Sequence, residues 1–465
     1  MTTVIAVTIY MVIQFSIGVW VARRIKSETD YLLAGRNLGP LLLTFSVFAT
    51  WFGAETVVGS SGRAYASGVT FGNAEPFGYG LCLVLLGLVF AIPLWKRKMT
   101  TLADFFRDRF SVTTERVAAV ILIPSSVVWG AAQIRAFGYV LDTTAGGIGT
   151  ELAIGVAAAF TITYAMVGGL LVDAINDVLQ GVMLAVGLVI VFVAVLPHIG
   201  GVDGVAGAFT NAERVHFVPT GENAWAVIER WAIPVAGSVL AAEIVGRVIA
   251  ARTPQVARSA TLMGAALYVG VGLIPLAIGL VGPAVMPAIG NEEQILPQIA
   301  RTVLPTALYA VFAGALISAI LTTVDSTLLV ASGLLSHNLI VPLARIEDER
   351  RKVLIARAGV ATFGVIAYFL ARHAEGILDL VEQASALGSA GVLVTISFGL
   401  FTPWGGARAA MASLVGGLVV YVAATFGGAP TPFLLSLAAA LLAYLVTAPT
   451  ERPLAPSGLP ADRAA

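Results

Sequence analysis

Long apolar segments constrain this chain more than any other feature of its sequence. A hydrocarbon layer about 30 Å thick is crossed by a helix of about 20 apolar residues. Runs long enough to cross it occur at residues 3–22, 38–62, 74–95, 113–142, 149–167, 170–196, 224–250, 257–282, 298–338, 353–372, 375–401, 406–427 and 429–448. Because backbone groups in lipid need partners within the chain, each run is predicted to be helical. The sequence therefore predicts an all-α polytopic membrane protein with about thirteen transmembrane helices.

The placement of charged residues predicts how these helices are oriented. Only 12% of the residues are charged, against about 25% in an average soluble domain. With thirteen spans, the basic clusters at residues 23–26, 96–98, 252–258 and 345–352 all fall on one side, which the positive-inside rule makes cytoplasmic. We therefore expect a multi-pass protein of the plasma (inner) membrane, with its N-terminus outside and its C-terminus in the cytoplasm.

The rest of the chain excludes several function classes. No soluble domain separates the apolar runs, so residues 1–450 are expected to form a single membrane domain, followed by a disordered cytoplasmic tail at 451–465. The sequence has no G-x-x-x-x-G-K-[ST] phosphate loop, no G-x-S-x-G elbow and no H-E-x-x-H motif. We expect neither an enzyme nor a nucleotide-driven pump. The expected partners are the lipid bilayer and a small solute, with no nucleic acid and no obligate protein partner.

A break is predicted in the second apolar run, which reads ATWFGAETVVGSSG from Ala49 to Gly62. Three glycines and two serines weaken this helix, and an unwound helix at membrane depth persists where it lines a cavity or holds an ion. Small residues at this spacing are also typical of a helix-packing face. The embedded acid Glu55, beside Trp51, favours a binding site over simple packing.

Hydroxyl groups line one face of the ninth run, in the stretch LISAILTTVDSTLLVASG. Ala319, Thr322, Thr323 and Ser326 stand at positions i, i+3, i+4 and i+7, so they share a helical face. Hydroxyl and carbonyl oxygens are ligands for hard cations. Alternatively, each hydroxyl bonds back to the preceding turn. The acid Asp325 in the same stretch favours ion binding.

Further polar residues lie in other spans. In GGLLVDAINDVLQ, Asp173 is expected near the cytoplasmic surface in water, and Asp177, one turn deeper, is the better site candidate. WGAAQIRAFG carries Trp129, Gln133 and Arg135, and LAAEIVGRV carries Glu243. Arg135 either pairs with Glu55 or Glu243 or clamps a substrate, and the sequence leaves these alternatives open.

Four ordered motifs resemble the sodium:solute symporter family. They are DYLLAGRNLGP, ATWFGAETVVGSSG, YAMVGGLLVDAINDVLQ and TTVDSTLLVASGLLSHNL. The resemblance implies a leucine-transporter-type fold of two inverted five-helix repeats, at about 38–197 and 223–401. It also implies an extra N-terminal helix at 3–22 and two C-terminal helices at about 405–448, all in one membrane transport domain.

The resemblance also implies a sodium site. Its ligands would be the carbonyls of Ala49, Phe52 and Ala319 with the hydroxyls of Thr322 and Thr323. In some family members a second sodium binds one turn further on, and that set here comprises Asp177, Asp325 and Ser326. Coupling to one or two Na⁺ ions is therefore expected.

Within the family, the motifs look most like the choline-transporter branch, in which tryptophans surround a quaternary ammonium. Trp51 and Trp129 match that pattern, but the seventh span reads Leu240 to Glu243 where a third aromatic residue is expected. Arg135 is more typical of a carboxylate clamp.

We therefore expect a Na⁺-coupled secondary active symporter that imports an amino acid, carboxylate or other zwitterion by alternating access. The alternatives are a choline or quaternary-ammonium symporter and an H⁺-coupled transporter of the same fold. A channel is disfavoured because the polar groups converge at mid-depth. The expected substrate site consists of Trp51, Glu55, Thr56, Trp129, Gln133, Arg135 and Glu243.

Overall fold

A computed structural model describes residues 2–70, 74–216, 223–374 and 376–451, and most of them lie in helices. Eleven helices are long and apolar enough to cross a membrane, and one bent pair makes a twelfth span. The N-terminal helix Thr2–Ala22, with an apolar part at Thr8–Ala22, precedes them. The all-helical, multi-span architecture is confirmed, with twelve of the thirteen predicted spans long and apolar enough among the described residues and the N-terminal helix as the shorter thirteenth. The predicted tail beyond residue 451 lies outside the described residues.

The spans are numbered in chain order. The first to sixth are Thr2–Ala22, Pro40–Trp51 with Glu55–Ser67, Phe77–Lys96, Val112–Ala145, Thr150–Val167 and Leu170–His198. The seventh to thirteenth are Ala224–Ile249, Pro254–Val285, Thr306–Ala344, Glu349–His373, Ile377–Phe401, Ala407–Phe426 and Pro432–Thr450.

Short elements connect the spans. They are the helices Glu28–Leu33, Asp104–Arg109, Gly201–Thr210 and Ile295–Val303, and the single turns Ala34–Arg36 and Glu292–Gln294. Two short strands, Val69–Thr70 and Val215–His216, pair in parallel with Val69 opposite Val215.

The ninth span is the centre of the bundle. It packs against the first, fourth, sixth and tenth spans. Its apolar window is 83% buried within the protein, whereas those of the tenth and thirteenth spans are 28% buried. Lipid covers the exposed apolar side chains of the outer helices. The hydroxyl-bearing face of the ninth span is therefore turned toward other helices rather than toward lipid.

Two spans are interrupted at their centres. The halves of the second span meet at an angle of 56° between Trp51 and Glu55. The seventh span loses its helix at Ser238–Ala241 and resumes at Ala242–Ile249. The break in the second span was predicted, whereas that in the seventh, five spans later, was not. Interrupted helices free backbone groups to contact ions and solutes at membrane depth.

Candidate functional site

Four of the five predicted sodium ligands converge where the second span breaks. The Thr322 hydroxyl donates to the carbonyl oxygens of Ala49 (3.3 Å) and Ala319 (2.9 Å). The Thr323 hydroxyl approaches the same two carbonyls at 3.4 and 3.5 Å. Phe52, the fifth predicted ligand, caps the first half of the broken span with φ −87° and ψ 61°. The two hydroxyls and the carbonyls of Ala49 and Ala319 thus lie within hydrogen-bond reach of one another in a buried place, and oxygens of these kinds suit a hard cation.

Gln133 of the fourth span supports the break. Its Oε1 accepts a hydrogen bond from Ala54 N (2.8 Å), and its Nε2 donates to Glu55 Oε2 (2.9 Å). A methyl group on Gly53 would lie 2.7 Å from Glu55 Oε2, so glycine is needed for this close approach. The predicted residues Glu55 and Gln133 are therefore joined, and Glu55 Oε1 keeps no hydrogen-bond partner among the described residues.

Three aromatic rings pack together beside the break. The Trp51 and Trp129 ring centroids are 5.0 Å apart, and Tyr79 lies 6.3 Å from Trp51 and 6.2 Å from Trp129. We call Trp51, Tyr79 and Trp129 the aromatic trio. All three are buried, and Tyr79 is held by a 2.9 Å hydrogen bond to Ser385 Oγ. The third aromatic residue, expected in the seventh span, comes from the third, where no sequence motif marks it.

Glu243 lines a small cavity next to the trio. The cavity has a volume of about 20 Å³ and is bordered by Trp129, Ser126, Ser385 and Leu240, so it has room for about one water-sized group. Glu243 Oε1 is buried and has no hydrogen-bond partner among the described residues. The structure thus brings Glu243 to the same site as Trp129, as predicted. A larger solute enters only when the surrounding helices separate.

Thr56, another predicted site residue, joins a cluster that the sequence did not indicate. Its hydroxyl donates to Glu75 Oε1 (3.0 Å), and Tyr268 Oη donates to the same oxygen (2.6 Å). Glu75 lies just before the third span, where burial raises the pKa of its carboxyl to about 8. No spacing in the sequence connects these three residues, since they come from three separate segments.

Arg135 lies apart from this cavity. Its guanidinium donates to the Ala371 carbonyl (2.9 Å) and stacks over Tyr139, 5.2 Å from the ring centroid. Glu55 accepts a hydrogen bond from Gln133, and Glu243 lines the small cavity beside Trp129. Neither of the ion pairs considered for Arg135 is formed among the described residues.

A second acidic cluster lies one turn beyond the sodium ligands. Asp173 is buried and accepts a hydrogen bond from Arg247 (3.0 Å) and one from Ser326 (3.2 Å), and Arg247 also contacts Ser326. The expectation that Asp173 is solvated was wrong, because Arg247 of the seventh span neutralises it inside the protein. The carboxylate oxygens of Asp177 and Asp325 are buried without partners among the described residues.

Comparisons with known proteins identify the family. The model of the sodium:solute symporter family matches residues 31–417, most of the chain. This chain belongs to the sodium:solute symporter family. Its family is one of sodium-coupled solute symporters, and its many apolar helices make it a multi-pass membrane protein.

Two curated relatives are each 25% identical to this symporter. The match to the high-affinity choline transporter 1 of Drosophila melanogaster covers 83% of this chain and 64% of the relative. The match to the osmoregulated proline transporter OpuE of Bacillus subtilis covers 96% and 94%. This symporter therefore spans slightly less than two thirds of the fly transporter's length.

Solved structures show the same fold. A Na⁺-coupled sialic acid symporter in a substrate-bound, outward-open state superposes with a TM-score of 0.85 at 20% identity, over 97% of this chain and 98% of the other. This confirms the leucine-transporter-type fold with its inverted five-helix repeats. The repeat boundaries at 38–197 and 223–401 stay a prediction.

Proposed function

We propose that this symporter imports a small organic solute that carries a positively charged nitrogen, either a zwitterion or a quaternary ammonium. The aromatic trio beside two buried carboxylates, Glu55 and Glu243, carries this proposal. Aromatic faces attract cations, by about 2 kcal/mol or more at desolvated sites. The carboxylates add charge of the opposite sign in a low-dielectric setting.

The sequence left a quaternary ammonium and a zwitterion open as the solute, and different observations favour each. A quaternary ammonium is favoured by the trio, which supplies the third aromatic ring, and by the likeness to choline transporters. A zwitterion is favoured by the likeness to a proline transporter. Its carboxylate would need a donor other than Arg135 in this conformation, and the indole Nε1 atom of Trp51 is without a partner among the described residues.

We propose Na⁺ as the coupling ion, bound by the carbonyls of Ala49, Phe52 and Ala319 with Thr322 and Thr323. The convergence of these oxygens supports this assignment. A sodium ion there would tie the broken second span to the ninth span. Because Trp51 and Glu55 flank the same break, ion and solute favour one arrangement of the helices, and each raises the affinity for the other.

A second cation is proposed at Asp177, Asp325 and Ser326. The unpartnered carboxylate oxygens support it, because buried charges are otherwise paired. The same two acids would bind a proton if coupling were to H⁺. The stoichiometry is therefore proposed as one Na⁺ with a second Na⁺ or a proton.

The remaining proposals concern the whole protein. Basic clusters support a plasma (inner) membrane location with the N-terminus outside and the C-terminus in the cytoplasm. We also propose that the protein moves its solute without catalysing a reaction and without an obligate protein partner.

Uptake into proteoliposomes tests these assignments. With radiolabelled choline and proline as probes, an inward Na⁺ gradient should drive accumulation at least about tenfold above an equal K⁺ gradient. A pH gradient alone should drive none. Equal accumulation under Na⁺ and K⁺ gradients would contradict sodium coupling. Uptake of an anionic solute alone, unaffected by choline or proline, would contradict recognition of a cationic nitrogen.

A further inference from the structure

One acid outside the spans connects three segments around the broken second span. Glu75, in the connection before the third span, accepts hydrogen bonds at its Oε1 from the hydroxyls of Thr56 (3.0 Å) and Tyr268 (2.6 Å). The two hydroxyls also contact each other. Thr56 belongs to the second half of the broken span, and Tyr268 belongs to the eighth span. A single carboxylate oxygen therefore joins one half of the break to a neighbouring continuous helix.

The eighth span approaches this connection closely. Gly272 lies one turn after Tyr268, and a methyl group on it would lie 2.7 Å from Pro76 Cβ and 3.3 Å from Thr56 Cγ2. The side chains of Thr56 and Tyr268 are fully buried. Hydrogen bonds in such a setting are stronger than they would be in water, because the local dielectric constant is low.

The ring of Tyr268 extends this connection to the proposed sodium site. Its centroid lies 5.6 Å from that of Phe52, with an angle of 73° between the ring planes, an edge-to-face arrangement that stabilises aromatic pairs. Phe52 has φ −87° and ψ 61° at the break, so no helical geometry aims its carbonyl, which is one of the proposed sodium ligands. The packed ring of Tyr268 restricts how Phe52 can turn.

We propose that Glu75 is a positioning residue for the sodium site. Its Oε1 holds Tyr268, whose ring packs against Phe52 on one side of the break, and it holds Thr56 on the other side. Glu75 acts through these two side chains and does not itself bind the ion. This inference rests on the proposed sodium site and adds a residue that controls its geometry.

Loss of the Oε1 acceptor would let the break adopt arrangements in which the sodium ligands are apart. The apparent affinity for an ion falls in proportion to the fraction of the protein that is competent to bind it. Glu75 Oε2 has no partner among the described residues, so an amide nitrogen in its place would displace no existing contact. Glutamine at this position should therefore keep the acceptor and most of the sodium affinity.

Uptake by the full-length protein in proteoliposomes tests this inference, with radiolabelled choline and proline as probes. Glu75→Ala should raise the Na⁺ concentration for half-maximal uptake at least about fivefold, the equivalent of about one net hydrogen bond. At saturating Na⁺, its half-maximal solute concentration should match that of the unaltered protein. Glu75→Gln should stay within about twofold in both quantities. Glu347→Ala, which removes an exposed acid from a loop, is the matched control and should change neither.

A second variant tests the connection through Tyr268. Tyr268→Phe removes the hydroxyl and keeps the ring beside Phe52, so it should also raise the half-maximal Na⁺ concentration. The double variant of Glu75→Ala with Tyr268→Phe should need no more Na⁺ than Glu75→Ala alone, because side chains that act through one contact have non-additive effects. Additive effects would contradict the connection. If Glu75→Ala fails to fold, Tyr268→Phe is compared with the unaltered protein instead, and an unchanged Na⁺ requirement would overturn the inference.

The remaining outcomes separate this inference from the proposed function. A lower melting temperature of Glu75→Ala with an unchanged half-maximal Na⁺ concentration would make Glu75 merely structural and would overturn the inference alone. A raised half-maximal solute concentration at saturating Na⁺ would also overturn it, since Glu75 would then contact the solute. If Glu75→Gln were as impaired as Glu75→Ala, the acceptor role would be wrong. An unaltered protein that takes up neither choline nor proline with Na⁺ would refute the proposed function itself.

Discussion

At the scale of single residues, the ion-binding chemistry depends on two hydroxyl groups. Thr322 and Thr323 both point at the carbonyls of Ala49 and Ala319, so each hydroxyl touches both halves of the proposed sodium site. In the absence of an ion, these contacts are ordinary hydrogen bonds that bridge the second and ninth spans. The two interpretations of the ninth-span hydroxyls are thus compatible, because a hydroxyl can bond a carbonyl and also present its lone pairs to a cation.

Removal of both hydroxyls should weaken sodium binding. For Thr322→Ala with Thr323→Ala, we expect the Na⁺ concentration for half-maximal uptake to rise at least about tenfold, equivalent to about 1.4 kcal/mol. The matched control is the double serine variant, which keeps both oxygens and should stay near the unaltered value. Uptake in proteoliposomes at varied Na⁺ measures the effect. An unchanged half-maximal concentration in the alanine variant would remove both threonines from the site.

At the scale of elements, the break in the second span depends on its contact with the fourth. Gln133 satisfies the Ala54 N–H that the break frees, and it holds Glu55 in place. Freed backbone groups at membrane depth need such partners. The interrupted seventh span places Glu243 beside Trp129 at the small cavity. Two broken helices and one continuous helix therefore form the candidate site together.

Crowding at this break should destabilise the protein. In Gly53→Ala the added methyl group would lie within 2.9 Å of three side-chain atoms of Glu55 and Gln133. Overpacking of this kind costs about 1–3 kcal/mol. We expect a lower melting temperature in detergent and reduced solute uptake.

Gly39→Ala is the matched control for that experiment. It lies at the start of the same span, and its added methyl group meets nothing within 4 Å. It should melt and transport like the unaltered protein. Equal melting temperatures for the two variants would show that the contact at Gly53 relaxes without cost.

At the scale of the whole molecule, thirteen spans and the basic clusters together predict the orientation. The single cysteine, Cys82, is buried, so introduced cysteines on exposed loops can be labelled selectively. Ala288 follows the eighth span and Glu347 lies between the ninth and tenth, both exposed. An odd number of spans separates the two loops, so they face opposite sides of the membrane.

Labelling of intact cells should report that orientation. A membrane-impermeant maleimide should modify Ala288→Cys and leave Glu347→Cys unmodified until the cells are lysed. The unaltered protein, with Cys82 alone, should remain unlabelled in both conditions. The reverse pattern, with Glu347→Cys labelled in intact cells, would invert the proposed topology.

The sequence by itself determined the spans, the broken second helix and the hydroxyl face of the ninth helix. Each of these depends on local rules, namely the length of an apolar run, the position of glycines and the periodicity of a helix. The resemblance to the family supplied the expected fold and the expectation that Thr322 and Thr323 lie near Ala49. The structure brings these three residues together.

Only the tertiary structure decided which distant side chains meet. Tyr79 joins the two tryptophans, Arg247 neutralises Asp173, and Arg135 turns to Ala371 and away from the acids. These contacts link residues 28 to 236 positions apart. No local pattern encodes them, because they depend on how whole helices pack and rotate against one another. For the same reason, the sequence identified the acids of the site but not their partners.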